Sequence, residues 1–370
     1  MRRIPAVLLA LVLALLPLSG CEEGGFPSSA PASSAPALSS PAPSAPAQTG
    51  NPSGGQEALS GLAVHFIDVG QADAALLTCG GQSMLIDGGN VDDSSLVVSY
   101  LESEGIEHLD YVLCTHAHED HVGGLSGPLN TCTASHVMAP VTEYDSKAFS
   151  DFAKYTQAQG LSIEIPQPGD TFSLGEAQVT ILGPVKEYEE TNDTSIVLRV
   201  DYGATSFLFT GDMERTAEAD LLEAGYDLEA TVLKVGHHGS DTSTSYPFLR
   251  AVMPQYAVIS VGAGNSYGHP SEDVLSRLRD AETTVYRTDQ QGTVVAYSDG
   301  TQVTFETGKE VAPTPGRTEG TAQTYIGNVN SHVFHLETCS SLPAEQNQIL
   351  FDSRDAAVEA GYTPCGRCNP

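Results

Sequence analysis

The sequence predicts a layered α/β protein, with sheets inside and helices outside, followed by a small cysteine-bearing unit. Three observations carry this. Short apolar strand patterns open the main domain as a meander, divided by Gly70-Gln71 and Gly80-Gly81. Further on, strand patterns alternate with helical ones, which places helices on the faces of sheets. The chemically active residues fall at predicted strand ends, on loops that a rigid sheet can aim.

In chain order, residues 1–20 read as a targeting segment. Arg2 and Arg3 precede the apolar run "IPAVLLALVLALLPL", which is short for a membrane span and suited to a signal-peptide core. It ends in "LSGC", which resembles the lipobox of bacterial lipoproteins, cleaved before a cysteine that is then acylated. Here that cysteine is Cys21. The resemblance implies a chain outside the cell, attached to the membrane by a lipid anchor. Residues 21–60, rich in Pro, Ser and Ala, cannot bury enough apolar surface to offset ordering entropy and are expected to form a disordered spacer.

The main domain is expected over 61–307. "LAVHFIDV", "ADAALLTC" and "SMLIDGG" read as its opening strands, and "SSLVVSYLESEG" as a helix stopped by Gly105. "LDYVLC" is a buried strand running into the histidine-rich "THAHEDH". "QVTILG", "TSIVLRVDYG" and "TSFLFTGD" are strands, "ERTAEADLLEAG" is a helix, and "LEATVLKVGHHGS" and "YAVISVG" are strands again. The helix "SEDVLSRLRDA" and the strands "TTVYRT" and "GTVVAYS" close the domain. A second spacer, 308–322, precedes a unit at 323–370. Among 370 residues, 16 Lys and Arg stand against 47 Asp and Glu, a net charge of −31. Such acidity argues against a broad electrostatic footprint for nucleic acid.

"THAHEDHVGG" packs three histidines and two acids into His116–His121, a density hard to explain by packing. After a strand, a tight loop turns His116 and His118 toward one point and Asp120 and His121 toward another. Imidazoles with a carboxylate suit zinc, manganese or iron(II) and leave positions open for water.

The order "HFIDVGQADAALL", "LIDGG", "THAHEDHVGGL", "NDTSIVLRV", "FLFTGD", "LKVGHHGS", "VISVGAGNSYGHPS" and "YRTDQQGTV" resembles the metallo-β-lactamase superfamily, over residues 62 to 298. Within it, the likeness is greatest to the extracellular hydrolase domains of ComEC-type competence proteins. The resemblance implies a four-layer αββα fold and two divalent ions, Zn or Mn. It puts metal one on His116 and His118, metal two on Asp120 and His121, and Asp212 between them. His238 of "HHGS" is favoured over His237 as a further ligand of metal two, with His237 left to contact substrate oxygens. Asp87 is expected to orient the histidine loop. "GQAD" departs from the family's Gly-Gln-Gly-Asp at Ala72. The extra histidine that many members supply to metal one is absent, since only His136 lies between His121 and His237. Metal one is therefore expected to be the more open and weaker-binding ion, with Asn192 or Asp193 near the gap. His269 and Lys234 are candidate phosphate contacts. Asp120, Asp212, His237 and His269 form the expected catalytic set.

In the last unit, His335-x-x-x-Cys339 and Cys365-x-x-Cys368 have the spacing of a tetrahedral zinc site, and so small a core needs such a staple. The alternative is a disulfide between two of these cysteines. "FDSRDAAVEAGYTPCGRC" resembles the zinc-binding module of the Ada family, which uses four cysteines, the first a methyl acceptor. Here His335 holds that first place, so methyl transfer is not expected. Two arginines and no lysine against five acids also argue against DNA binding by the module. A disulfide between Cys79 and Cys132 is left open, and Cys114 is expected to pack as a small apolar residue.

The sequence therefore predicts a lipid-anchored, extracellular, two-metal hydrolase of phosphodiesters, DNA among them, with one structural zinc in its C-terminal module. The alternatives are hydrolysis of another ester, such as cell-wall phosphocholine, and a non-catalytic surface protein.

Overall fold

The computed structural model describes residues 61–315, 324–337, 339–351 and 354–368. The leader, Cys21 and the first spacer lie outside these residues. No helix among the described residues is long and apolar enough to cross a membrane.

Two sheets form the main domain. The strands in chain order are β1 (Leu62–Phe66), β2 (Ala75–Cys79), β3 (Gln82–Ile86), β4 (His108–Leu113), β5 (Thr133–Met138), β6 (Ile163–Glu164), β7 (Thr171–Leu174) and β8 (Ala177–Gly183). They continue with β9 (Val197–Tyr202), β10 (Thr205–Phe209), β11 (Val232–Lys234), β12 (Tyr256–Ile259), β13 (Thr284–Arg287), β14 (Val294–Ser298) and β15 (Val303–Thr307). The first sheet runs β15-β14-β1-β2-β3-β4-β5-β6 and the second β13-β12-β11-β10-β9-β8-β7. The opening meander is antiparallel, and Cys79 faces Gln82 across the Gly80-Gly81 turn. Both glycines have positive φ, as a two-residue hairpin turn demands.

Strand alternation sorts the apolar residues into layers. Leu77, Met84 and Ile86 meet Val179, Ile181 and Phe207 in a core between the sheets. Their neighbours Leu76 and Leu85 point the other way, onto the helices α1 (Ser94–Ser103), α2 (Glu119–Val122), α3 (Ser126–Thr131) and α4 (Lys147–Ala158). On the far side, Leu208, Leu233 and Ile259 pack on α5 (Arg215–Ala224), α6 (Tyr246–Val252) and α7 (Glu272–Asp280). The result is the αββα sandwich. Ser271 caps α7 by accepting from the Val274 N–H, with acids in its first turn and Arg277 and Arg279 in its last.

Past β15 the chain stays on the domain: Gly308 N–H bonds to Thr293, Lys309 N–H to Gln291, and Thr314 pairs with Val285. The C-terminal module is a small sheet of β16 (Tyr325–Asn328), β17 (Val333–Leu336), β18 (Gln348–Phe351) and β19 (Thr363–Pro364), with one helix, Arg354–Glu359. Its core holds little more than Tyr325, Phe334, Phe351, Ala357 and Tyr362.

Candidate metal centre

The strands that carry the site are parallel, so their C-terminal ends share one edge. β3 pairs with β4, and β10, β11 and β12 pair in series. Asp87 follows β3, the histidine loop follows β4, Asp212 follows β10, His237 and His238 follow β11, and His269 lies beyond β12. Open α/β sheets bind ligands at this edge.

Asp87 organises the histidine loop. Its Oδ1 accepts from the Thr115 N–H at 2.7 Å, and its Oδ2 from the Thr115 hydroxyl at 2.7 Å. Oδ2 also lies 2.8 Å from His121 Nδ1. With Nδ1 engaged, His121 presents Nε2, which is buried and has no hydrogen-bond partner. His238 repeats the device: its Nδ1 lies 3.0 Å from the Ser260 carbonyl and its buried Nε2 is without a partner. Both nitrogens face carboxylates. His121 Nε2 is 3.3 Å from Asp212 Oδ1, and His238 Nε2 is 3.3 Å from Asp120 Oδ2. One ligand atom from each of Asp120, His121, Asp212 and His238 lies within 4.8 Å of every other. Two imidazoles with free Nε2 atoms and two carboxylates, all buried except the part-exposed Asp120, fit a divalent cation.

The second subset is looser. His116 Nε2 lies 3.1 Å from His118 Nδ1 and 3.9 Å from Asp212 Oδ2, so Asp212 stands between the subsets. Asn192 borders the same cavity, its amide donating to Glu214 and its Oδ1 buried without a partner. Asp193 instead turns inward and accepts from the Glu214 N–H. Of the two residues expected near the gap, Asn192 reaches the cavity.

The electrostatics follow from burial among mixed charges. Burial by itself would raise the Asp212 carboxyl, yet the His121 and His238 imidazoles hold it well below the usual range. Burial opposes the charged form of His238, but Asp212 and Asp73 outweigh it and push the ring up to about 10. A cation entering this site takes the place of those protons.

His237 and His238 are separated by backbone geometry. Both have positive φ, 49° and 51°, and so does the following Gly239. The turn aims His238 inward and leaves His237 part-exposed, its Nδ1 near Glu214 and Thr242 and its Nε2 3.8 Å from Asp212 Oδ2. His237, His269, His118, Asn192 and Tyr267 line a cavity of about 340 Å3 over Asp120, Asp212 and His238.

One expectation is corrected and one open pairing is decided. Lys234 is no phosphate contact: it is buried and bonds to Asp73 Oδ2 at 2.7 Å. Cys79 and Cys132 are free thiols in different cores, Cys79 between the sheets and Cys132 under the helices. Asp73, in "GQAD", is a functional residue that no local pattern marks. Its other oxygen lies 3.3 Å from His238 Nδ1, so Lys234 and Asp73 brace a ligand. An acid after a turn is common, and only the fold brings it to β11.

In the C-terminal module, His335, Cys339, Cys365 and Cys368 bring ligand atoms within 4.8 Å of one another. His335 Nδ1 is buried without a partner, and all three cysteines are free thiols. Burial opposes the Cys365 thiolate, but the N–H groups of Arg367 and Cys368 pull it down to about 7. The set fits a structural zinc and not a disulfide.

The sequence model of the metallo-beta-lactamase superfamily matches residues 67–263. The chain belongs to the metallo-β-lactamase superfamily. The model of the metal binding domain of Ada matches residues 317–370. Among curated relatives, ComE operon protein 3 of Bacillus subtilis is 31% identical over 62% of this chain and 32% of its own length. Competence protein ComA of Neisseria gonorrhoeae is 32% identical over 62% of this chain and 31% of its own. Recombination protein 2 of Haemophilus influenzae is 31% identical over 62% and 28%. This superfamily chain thus spans about a third of the length of the relatives it matches. The superfamily implies a divalent metal, usually zinc, at the site described.

Proposed function

We propose that the chain is a metal-dependent phosphodiesterase, a nuclease of ComEC type, acting outside the cell on a lipid anchor at Cys21. One observation carries the reading: four ligand groups, buried but for the part-exposed Asp120, lie at the floor of an open cavity whose described lining contains no serine, threonine or cysteine. Water is the attacking group of this reading. Bound divalent cations would supply Lewis acidity, lowering the pKa of water and offsetting charge on a phosphoryl oxygen. The chain's own contribution is positioning. Asp87 and Ser260 fix the ligand rings. Glu214 and Thr242 hold His237 so that its Nε2 faces the cavity, where it can donate to a substrate oxygen. Relatives named for competence and recombination favour DNA among phosphodiesters. The location rests on the signal-like leader and its "LSGC".

A second reading, hydrolysis of a small ester such as a cell-wall phosphocholine, draws on the cavity's chemistry: no Lys or Arg is among its described lining residues, while Glu119 and Asp120 are. The test is hydrolysis by the metal-loaded chain of bis(p-nitrophenyl) phosphate, single- and double-stranded DNA, and a phosphocholine ester. Asp120→Ala and Asp212→Ala are expected to lower turnover by about a thousandfold or more, because several kcal/mol of charge stabilisation go with the ions. Cleavage of the choline ester alone would transfer the assignment to the second reading. Full activity in both variants would end the two-metal reading.

A further inference from the structure

Tyr267 stands at the rim of the cavity with 72% of its surface exposed, more than any other large hydrophobic side chain among the described residues. The loop that presents it is stiff. Asn265 Oδ1 accepts from the N–H groups of Tyr267 and His269 at 3.1 and 3.0 Å. Its amide donates to the carbonyls of Gly262 and His269 at 3.0 and 2.6 Å. A ring held out on a braced loop loses little conformational freedom when something covers it.

The ring also points along a path. Tyr267 lies nearly parallel to His269, with 25° between planes and 5.7 Å between centroids. His269 stands edge-on to His237 at 5.7 Å, and His237 Nε2 is 3.8 Å from Asp212 Oδ2. Three rings therefore run from solvent to the metal ligands. With no Lys or Arg in the described lining, a polyanion finds no basic track here. What the rim offers is a flat π surface, and bases that stack on aromatics need no such track. The near-parallel pair extends a stack and does not close the aromatic box that a quaternary ammonium prefers.

We propose that Tyr267 is a stacking platform for an unpaired nucleobase, so that the site selects single-stranded nucleic acid over duplex or base-free phosphodiesters. This rests on the phosphodiesterase reading above. The ring seats the base next to the scissile phosphate, whose oxygens then fall toward His237 and Asn192. Duplex bases are already stacked and cannot reach it.

The experiment compares steady-state kinetics of the full metal-loaded chain on oligothymidylate and on an abasic deoxyribose-phosphate oligomer of equal length, with a phosphocholine ester as a third substrate. Tyr267→Ala is expected to raise KM for oligothymidylate about tenfold, with kcat little changed and the abasic oligomer unaffected. Tyr267→Phe is expected to behave as the parent, because the face and not the hydroxyl does the binding. Equal effects on both oligomers, no effect on either, a Tyr267→Phe as impaired as Tyr267→Ala, or a larger effect on the choline ester would each overturn the platform. If the parent cleaves both polymers without preference for bases, the platform alone fails. If it cleaves neither, the phosphodiesterase reading fails with it.

Discussion

Lys234 and Asp73 are both buried at the end of β11, and neither charge is tolerable there without the other. Replacing Lys234 with Met leaves the buried Asp73 carboxylate without its lysine, and a loss of about 3–5 kcal/mol is expected in denaturant unfolding. Asp73→Asn keeps the shape but weakens the brace on His238, so metal affinity at the first subset should fall by about 10- to 100-fold in chelator competition. His65 offers a pH-dependent test at the same scale. Burial holds its imidazole down to about 4, from 6.5 in an unfolded chain, while its Nδ1 lies 2.8 Å from the Tyr100 hydroxyl. The unfolded chain therefore binds the proton more tightly. This contribution to stability is whole above pH 6.5 and drains away as pH falls toward 4, by up to about 1.4 kcal/mol per unit. His65→Gln keeps a polar partner for Tyr100 and should flatten the fall in Tm across that window. Superimposable profiles would remove His65 from the account.

At the scale of elements, the turn after β3 and the helical segment after the histidine loop meet backbone to backbone. A Cβ on Gly124 would lie 1.9 Å from the Gly88 carbonyl oxygen, and one on Gly123 2.5 Å from the Val91 nitrogen. This contact holds Asp87 against His121. Gly124→Ala is expected to cost at least about 1–3 kcal/mol and to lower metal content at the site, read by Tm and by metal analysis of purified protein. The glycines of "HVGG" were visible in the sequence, but their purpose was not, because the facing Gly88 is remote in the chain. Strand and helix identities were more legible. The opening meander, α1, α5 and α7 follow from local periodicity and glycine stops. Helix α4 and strand β15 are less legible, although Ser146 caps α4 by accepting from the Phe149 N–H and Phe149 and Phe152 pack inward. Its overall polarity hides the stripe.

At the scale of the whole molecule, the zinc-binding module does not stand apart from α6 and α7. Asp280 accepts from the Tyr246 hydroxyl at 2.9 Å and from the Tyr325 hydroxyl at 3.0 Å. It also pairs with Arg354 at 3.2 Å, and Arg354 lies 4.1 Å above the Tyr246 ring. The module's small core makes its fold depend on the ion. Cys365→Ser with Cys368→Ser should therefore remove one zinc per chain and expose the module to protease, while turnover at the hydrolase site stays near that of the parent. Retention of that zinc and of protease resistance in the double variant would contradict the staple.

By itself the sequence determined the types of the ligands, their local spacing and the layered architecture, because periodicity, glycine turns and dense histidine clusters are properties of neighbouring residues. It also contained the His/Cys set of the second site. The tertiary structure decided what depends on meetings between distant segments. It separated His238 from His237 through left-handed backbone, and it drew Lys234 away from substrate to Asp73. It kept Cys79 and Cys132 in separate cores, and it set Tyr267 in the open beside the metal ligands. The physical reason is common to all four: burial and reach are not properties of a residue, but of what the fold places opposite it.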